Sequence, residues 1–219
     1  MEKEKIRIAL IASGSGTDAY AIMSAKNYLS EVDIQLLIST KKEAGCLDKA
    51  AQCHIPSVVI DRRELGSEPF NRELFKVLRK ENIELIFLVG CIVKIPSILD
   101  VVIYNIHPAN IERFGGRGMY GLEPHKKVLL EIEDQIRRGR KTVEDKFYTE
   151  PTVHEAVQKY DEGQYLLKLQ VEIPPEIILG FINKDFGLEE AAGLLQKHVL
   201  PYEWMMLPLA VKAAANKLR

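Results

Sequence analysis

The sequence predicts an α/β protein with a Rossmann-like, mainly parallel sheet and helices on both faces. Three observations predict it. Short apolar runs alternate with helical patterns through the first half of the chain. The runs are dense in Val, Ile and Leu without polar alternation, which marks strands buried on both faces. The first run ends in SGSGTDA, 13–19, a turn in which glycines let a strand double back into a helix.

Each element follows in order. Strands are expected at IRIALIA (6–12), IQLLIS (34–39), SVVI (57–60), LIFLVG (85–90) and VVIYNI (101–106). Helical patterns lie between them at 18–29, 47–53 and 69–80. This alternation requires parallel strands joined by crossovers. After residue 121 the pattern changes. A helix is predicted over 122–138, and the charged, aperiodic IRRGRKTVEDKFYTE (136–150) reads as a surface loop. TVHEAV (152–157) and QYLLKLQVEI (164–173) read as a hairpin around YDEG, added to the sheet. A last helical region, 188–218, is expected to break or kink at Pro201 and Pro208. No linker-like stretch divides the chain. One domain over 1–219 is therefore expected, with a nucleotide-binding-like half (1–107) and a second half (108–219).

Composition narrows the function. With 47% hydrophobic residues, 28% charged residues and a net charge of −1, the chain offers no basic field for nucleic acid or membrane. Three cysteines form an odd set without C-x-x-C, which argues for a reducing cytoplasm and against a zinc site or disulfide framework. The apolar stretch after MEKEK stops at SGSG, too soon for a signal sequence or a membrane span.

Two stretches carry chemistry. In SGSGTDA, free N–H groups at a helix start suit an anion such as phosphate, with Gly14, Ser15, Gly16, Thr17 and Asp18 around it. Gly14-x-Gly16-x-x-Ala19 also fits the dinucleotide fingerprint. The second strand ends in Ser39-Thr40-Lys41-Lys42, which suits a 2′-phosphate better than NAD. The plain reading is a strand–helix turn with Asp18 as N-cap. In YNIHPANIERFGGRGMYG (104–121), Asn105 and His107 stand two apart at a strand end. They share a face, where α/β enzymes hold their ligands. Asp161 in YDEG is either a turn residue or a partner for that histidine.

The order SGSG, LVG, NIHP, GGRGMYG, then YDEG before a strand resembles the glycinamide ribonucleotide formyltransferase family, in the subgroup with a glycine-rich GMYG insert. The resemblance runs from Ile6 to the QKHVLP segment. It implies the formyltransferase fold and transfer of a formyl group from 10-formyltetrahydrofolate, a co-substrate, to the amine of glycinamide ribonucleotide in purine biosynthesis. No metal is implied. The partners implied are small molecules, with a homodimer admitted. By resemblance Asn105, His107 and Asp161 are catalytic. Ile92, Val93, Lys94 and Ile95 with the 157–161 loop, including Val157 and Tyr160, form the folate pocket. Gly14 to Asp18 and Lys197 form the acceptor site. A protonated His107 beside Asp161, its pKa raised above about 6.5, would join Asn105 in stabilising an oxyanion. Asp18 stands where the family has Asn, Ser67 where it has Arg, and Lys197 where it has Glu. The basic insert with Arg137, Arg138, Arg140 and Lys141 lengthens the interval between His107 and Asp161. Alternatives are another small amine, such as an amino sugar nucleotide, as acceptor, or a non-catalytic folate- or nucleotide-binding regulator.

Overall fold

The computed structural model describes residues 4–96, 101–157 and 161–219. A seven-stranded sheet runs through them. Its first five strands are β1 (Ile6–Ala12), β2 (Val32–Ser39), β3 (Ser57–Val59), β4 (Leu85–Leu88) and β5 (Val102–His107), all parallel. Two antiparallel strands complete it, β7 (Thr152–Glu155) and β8 (Tyr165–Lys168), in the order β3-β2-β1-β4-β5-β7-β8. The expected α/β fold is therefore present.

Strand alternation sorts the core. Ile8, Leu10 and Ala12 of β1 face one layer; Ala9 and Ile11 face the other. The first layer is closed by helices α1 (Thr17–Ser24) and α2 (Gly45–Gln52), and by the C-terminal part of α8 (Leu188–Lys217). On the other face lies α4 (Ser67–Lys80), where Phe70, Leu74 and Leu78 recur at helical spacing and are buried. Truncating a fully buried ring such as Phe70 to Ala costs about 3–5 kcal/mol. A third cluster joins α6 (Glu123–Arg137), α7 (Pro175–Ile182) and the first half of α8.

Several details differ from the sequence expectations. The expected strand 164–173 is split. Its first part is β8, whereas β9 (Val171–Glu172) pairs antiparallel with β6 (Tyr148–Thr149) in a separate small sheet. The loop expected over 136–150 thus contains a strand. Helix α7 and the one-turn helices α3 (Arg62–Leu65) and α5 (Ile111–Phe114) are additional. Helix α8 runs unbroken through Pro201 and Pro208. Pro201 is exposed, and the opposite face buries Val199, Met206, Leu207, Ala210, Val211 and Ala214. Burial of that face outweighs the lost backbone hydrogen bonds. Among the described residues, no helix is long and apolar enough to cross a membrane.

The order reverses at β1 and β4, so their carboxyl ends open a crevice. The loops there are tied together. Ser13 N–H donates to the Gly90 carbonyl at 3.1 Å, and Ile92 N–H donates to Ser13 Oγ at 3.1 Å. Gly16 and His107 lie at this same edge, after β1 and at the end of β5.

Candidate active site

A cleft of about 380 Å³ opens at that edge. Ser15, Thr17 and Asp18 line it after β1, and Gly90 to Ile92 line it after β4. Asn105 and His107 come from β5, and Gly116, Gly118, Met119, Tyr120 and Gly121 from the following loop. His125 of α6, Asp161, and Gln196, Leu200 and Glu203 of α8 complete the wall. Asn105, His107 and Asp161, distant in sequence, are thus brought together.

His107 is 2% exposed. Its Nε2 lies 3.1 Å from the Phe114 carbonyl, which can only accept, so Nε2 carries the proton. Nδ1 faces Asp161 Oδ2 at 3.9 Å. Burial pushes the His107 pKa below its ordinary value, and the Asp161 charge only partly offsets this. The expectation of a raised pKa and an imidazolium is therefore corrected: His107 rests neutral, with Nδ1 as a free base.

Asp161 is held in the left-handed region at φ 57°, which Asp tolerates better than most residues. Its Oδ2 accepts from Gly116 N–H at 2.7 Å, and Oδ1 lies 3.4 Å from His154 Nε2. Burial opposes its ionisation. The His154 and Gly116 hydrogen bonds and nearby His107 outweigh burial and hold the carboxyl below its usual range. Gly115 is required here, since a Cβ there would collide with the Ile111 carbonyl and press on Asp161. Asn105 Nδ2 and Asp161 Oδ1 both approach His154 Nε2, at 3.3 Å and 3.4 Å.

A side pocket continues from the cleft past Asn105. Leu88, Cys91, Ile92, Val93, Lys94, Ile95, Ala156 and Val157 line it. Of the expected folate-pocket residues it is lined by Ile92, Val93, Lys94, Ile95, Val157 and Asp161, while 158–160, with Tyr160, lie outside the described residues. Apolar walls beside backbone groups suit a flat heterocycle.

At the other end, Gly16 is the N-cap of α1 at φ 74°, and a Cβ there would strike Cys46. Asp18 does not cap the helix. Its Oδ1 accepts from Trp204 Nε1 at 3.1 Å. Burial raises its pKa to about 6, against the Trp204 hydrogen bond. Gly14 and Gly16 shape the loop without lining the cleft. The expected acceptor contact of Lys197 is corrected: it is exposed and outside the lining, because Gln196, Leu200 and Glu203 occupy the inward phase of α8. The basic insert is turned elsewhere, with Arg137 and Arg138 on Asp134 and Lys141 over the Phe147 ring.

Two lining residues were not anticipated. His125 is 1% exposed, its Nδ1 has no hydrogen-bond partner, and burial beside His107 lowers its pKa to about 4. Glu203 is 5% exposed. Neither lies in a recognisable motif. Among the described residues, no cluster could hold a metal ion.

Comparison with known proteins agrees with this architecture. The chain is 32% identical over 199 residues to a chloroplastic phosphoribosylglycinamide formyltransferase of Arabidopsis thaliana, covering 85% of this chain and 64% of the relative. A chloroplastic relative in Vigna unguiculata is 29% identical over 90% of this chain and 59% of its own length. The chain thus spans about three fifths of the length of these plant relatives. The crystal structure of glycinamide ribonucleotide transformylase 1 from Geobacillus kaustophilus superposes with a TM-score of 0.71 at 23% identity, covering 97% of this chain and 100% of that one. That likeness shows the shared fold. Residues 6–197 match the Formyl transferase family, and the chain belongs to it.

Proposed function

We propose that this protein transfers a formyl group from 10-formyltetrahydrofolate to the amine of glycinamide ribonucleotide, a step of purine biosynthesis. One observation carries the reading. Asn105, His107 and Asp161 line one cleft between an apolar side pocket and a helix-start glycine loop. The relatives' names agree with it.

The folate co-substrate would enter beside Ile92, Val93, Ile95 and Val157. The acceptor would lie along Ser15, Thr17 and α8, with its amine toward His107. Attack of the amine on the formyl carbon forms a C–N bond and an oxyanion. The Asn105 amide is the donor available to that oxygen. His107 Nδ1 takes the proton the amine sheds, and the Asp161 carboxylate stabilises the resulting imidazolium. Collapse breaks the bond to the folate nitrogen, which receives the proton back from His107. No net charge is created, and one base serves both halves. We place the reaction in the cytoplasm, since three unpaired cysteines suit a reducing compartment.

The test is release of tetrahydrofolate when purified protein is given 10-formyltetrahydrofolate and glycinamide ribonucleotide. Release that depends on both supports the reading. Binding of a folate analogue without turnover on any amine would replace it with a regulator.

A further inference from the structure

Glu203 is the most deeply buried carboxylate in the cleft wall. It is 5% exposed, and no hydrogen bond or ion pair joins its side chain to another described residue. No Lys or Arg lines the cleft among the described residues. The lining charge is instead three carboxylates, Asp18, Asp161 and Glu203. An isolated buried carboxylate is too costly to keep ionised, and a second one beside it raises the cost.

The surrounding charges agree. Asp18 on α1 bears on Glu203 directly, and its Oδ1 is engaged by Trp204 on the next residue of α8. His107 on β5 rests neutral, as does His125 on α6. Lys126 on α6 is tied to Glu123 and Glu189. Lys168 on β8 is turned to Glu150, and Glu176 on α7 is exposed. Lys49 on α2 lines a separate groove beyond Trp204. Among the described residues, no cation is paired with Glu203 to hold it as an anion. Its carboxyl is driven far above the usual range by burial first and by Asp18 second.

A neutral acid without an internal partner presents its O–H to whatever fills the cleft. Ser15 and Thr17 hydroxyls and the Gln196 amide line the same end. We propose that Glu203, protonated, donates a hydrogen bond to an oxygen of the acceptor substrate, a phosphate or sugar oxygen, and so helps determine acceptor specificity. This deepens the formyl-transfer reading and rests on it. A carboxylic acid kept neutral so that it can donate is a known device of enzyme sites. Here it lets a cleft lined by no Lys or Arg among the described residues recognise an oxygen-rich ligand. Burial keeps the proton on Glu203, and the Asp18 charge adds to it.

The test compares wild type with Glu203→Gln, Glu203→Leu and Asp18→Asn, all checked for folding by circular dichroism. Acceptor KM is measured with glycinamide ribonucleotide and with its dephosphorylated riboside, from pH 6 to 9. Glu203→Leu is expected to raise acceptor KM about tenfold or more, with kcat and folate KM within about twofold. Glu203→Gln keeps a donor, so its KM stays near wild type and no longer rises at alkaline pH. Asp18→Asn should move the wild-type alkaline limb to lower pH. An effect of Glu203→Leu on the nucleotide but not the riboside assigns the contact to phosphate; an equal effect assigns it to the sugar. At pH 8, where Asp18 with its pKa of about 6 is ionised, the infrared difference spectrum of wild type minus Glu203→Gln should show a protonated-carboxyl band. Absence of that band overturns the proposal, whatever the turnover. So do folded variants with wild-type KM and pH dependence. If wild type shows the band but no turnover with glycinamide ribonucleotide, the formyl-transfer reading to this acceptor fails. The band must then shift with another amine acceptor, such as an amino sugar nucleotide. If none shifts it, the proposal fails too.

Discussion

His107 donates from Nε2 to the Phe114 carbonyl at 3.1 Å, and that bond settles which nitrogen is the base. The carbonyl ends the one-turn helix α5, capped at its start by the Asn110 side chain on Glu112 and Arg113 N–H. The segment directly after NIHP thus folds back to orient the histidine that precedes it.

Activity that needs a neutral His107 should persist below pH 6.5, because burial lowers the ring's pKa. The acid limb of kcat/KM is expected on that lower side. Asp161 raises the ring's pKa against the burial effect, so Asp161→Asn should move the limb further toward acid and slow turnover. A pH–rate profile of both proteins checks this. An unmoved limb would leave Asp161 as a turn residue only.

Asn105→Ala should lower kcat by roughly 10²–10³ through loss of an oxyanion donor. Folate-analogue affinity should change little, because the contact strengthens in the transition state. Steady-state kinetics with a separate binding titration separates the two. A large loss of folate affinity at unchanged kcat would instead make Asn105 part of the side pocket's wall.

Much of this was legible in the chain. The Val, Ile and Leu runs of β1, β4 and β5 are unambiguous because both faces of those strands are buried. Asn105 and His107 share a cleft-lining role through strand alternation alone. Other features depend on tertiary packing. PEIILGFI reads as apolar in any conformation, and only its fit against α8 makes it the helix α7. The prolines of α8 argued for a break that burial of Leu207, Ala210 and Val211 prevents. Local sequence cannot say that Trp204 meets Asp18 across 186 residues, nor which phase of α8 turns inward. That is why Glu203 escaped notice and Lys197 was placed in the site.

Two glycine substitutions should act in opposite directions. Gly115→Ala introduces a Cβ against the Ile111 carbonyl and 2.8 Å from Asp161 Cβ. It should cost about 1–3 kcal/mol of stability and displace the carboxylate. Gly193→Ala meets nothing within 4 Å in the second turn of α8, and should add about 0.5–1 kcal/mol through helix propensity. Thermal unfolding compares both, and activity at equal folded fraction isolates the Asp161 effect. A neutral Gly115→Ala would mean that the loop re-forms at no cost.

His125 predicts acid sensitivity. Its pKa falls from 6.5 to about 4, so the unfolded chain binds a proton before the folded one does. Its contribution to stability is complete above pH 6.5 and is lost as pH falls to about 4. His125→Gln should therefore flatten stability between pH 6.5 and 4, by about 3 kcal/mol at most. Urea unfolding across that window is the measurement. A slope unchanged by the substitution would place the titration elsewhere.

Asp18 should act with the opposite sign. Its pKa rises from 3.8 to about 6 because burial outweighs the Trp204 hydrogen bond. Below pH 3.8 both states are protonated and the residue costs nothing. As pH rises, the unfolded chain ionises first, and stability is lost until the folded carboxyl titrates near pH 6. Asp18→Asn should be more stable at pH 7 by about 2 kcal/mol, allowing for partial exposure, and equal to wild type near pH 3. Trp204→Phe removes the group that favours the anion, so it should push the Asp18 pKa higher and deepen the loss at neutral pH. The two substitutions thus bear on one contact from its two ends, and urea unfolding from pH 3 to 8 reads both. If Asp18→Asn were less stable at neutral pH, the Trp204 bond would outweigh the buried charge. Asp18 would then be a structural tie between α1 and α8, and one reason for Glu203 to keep its proton would weaken with it.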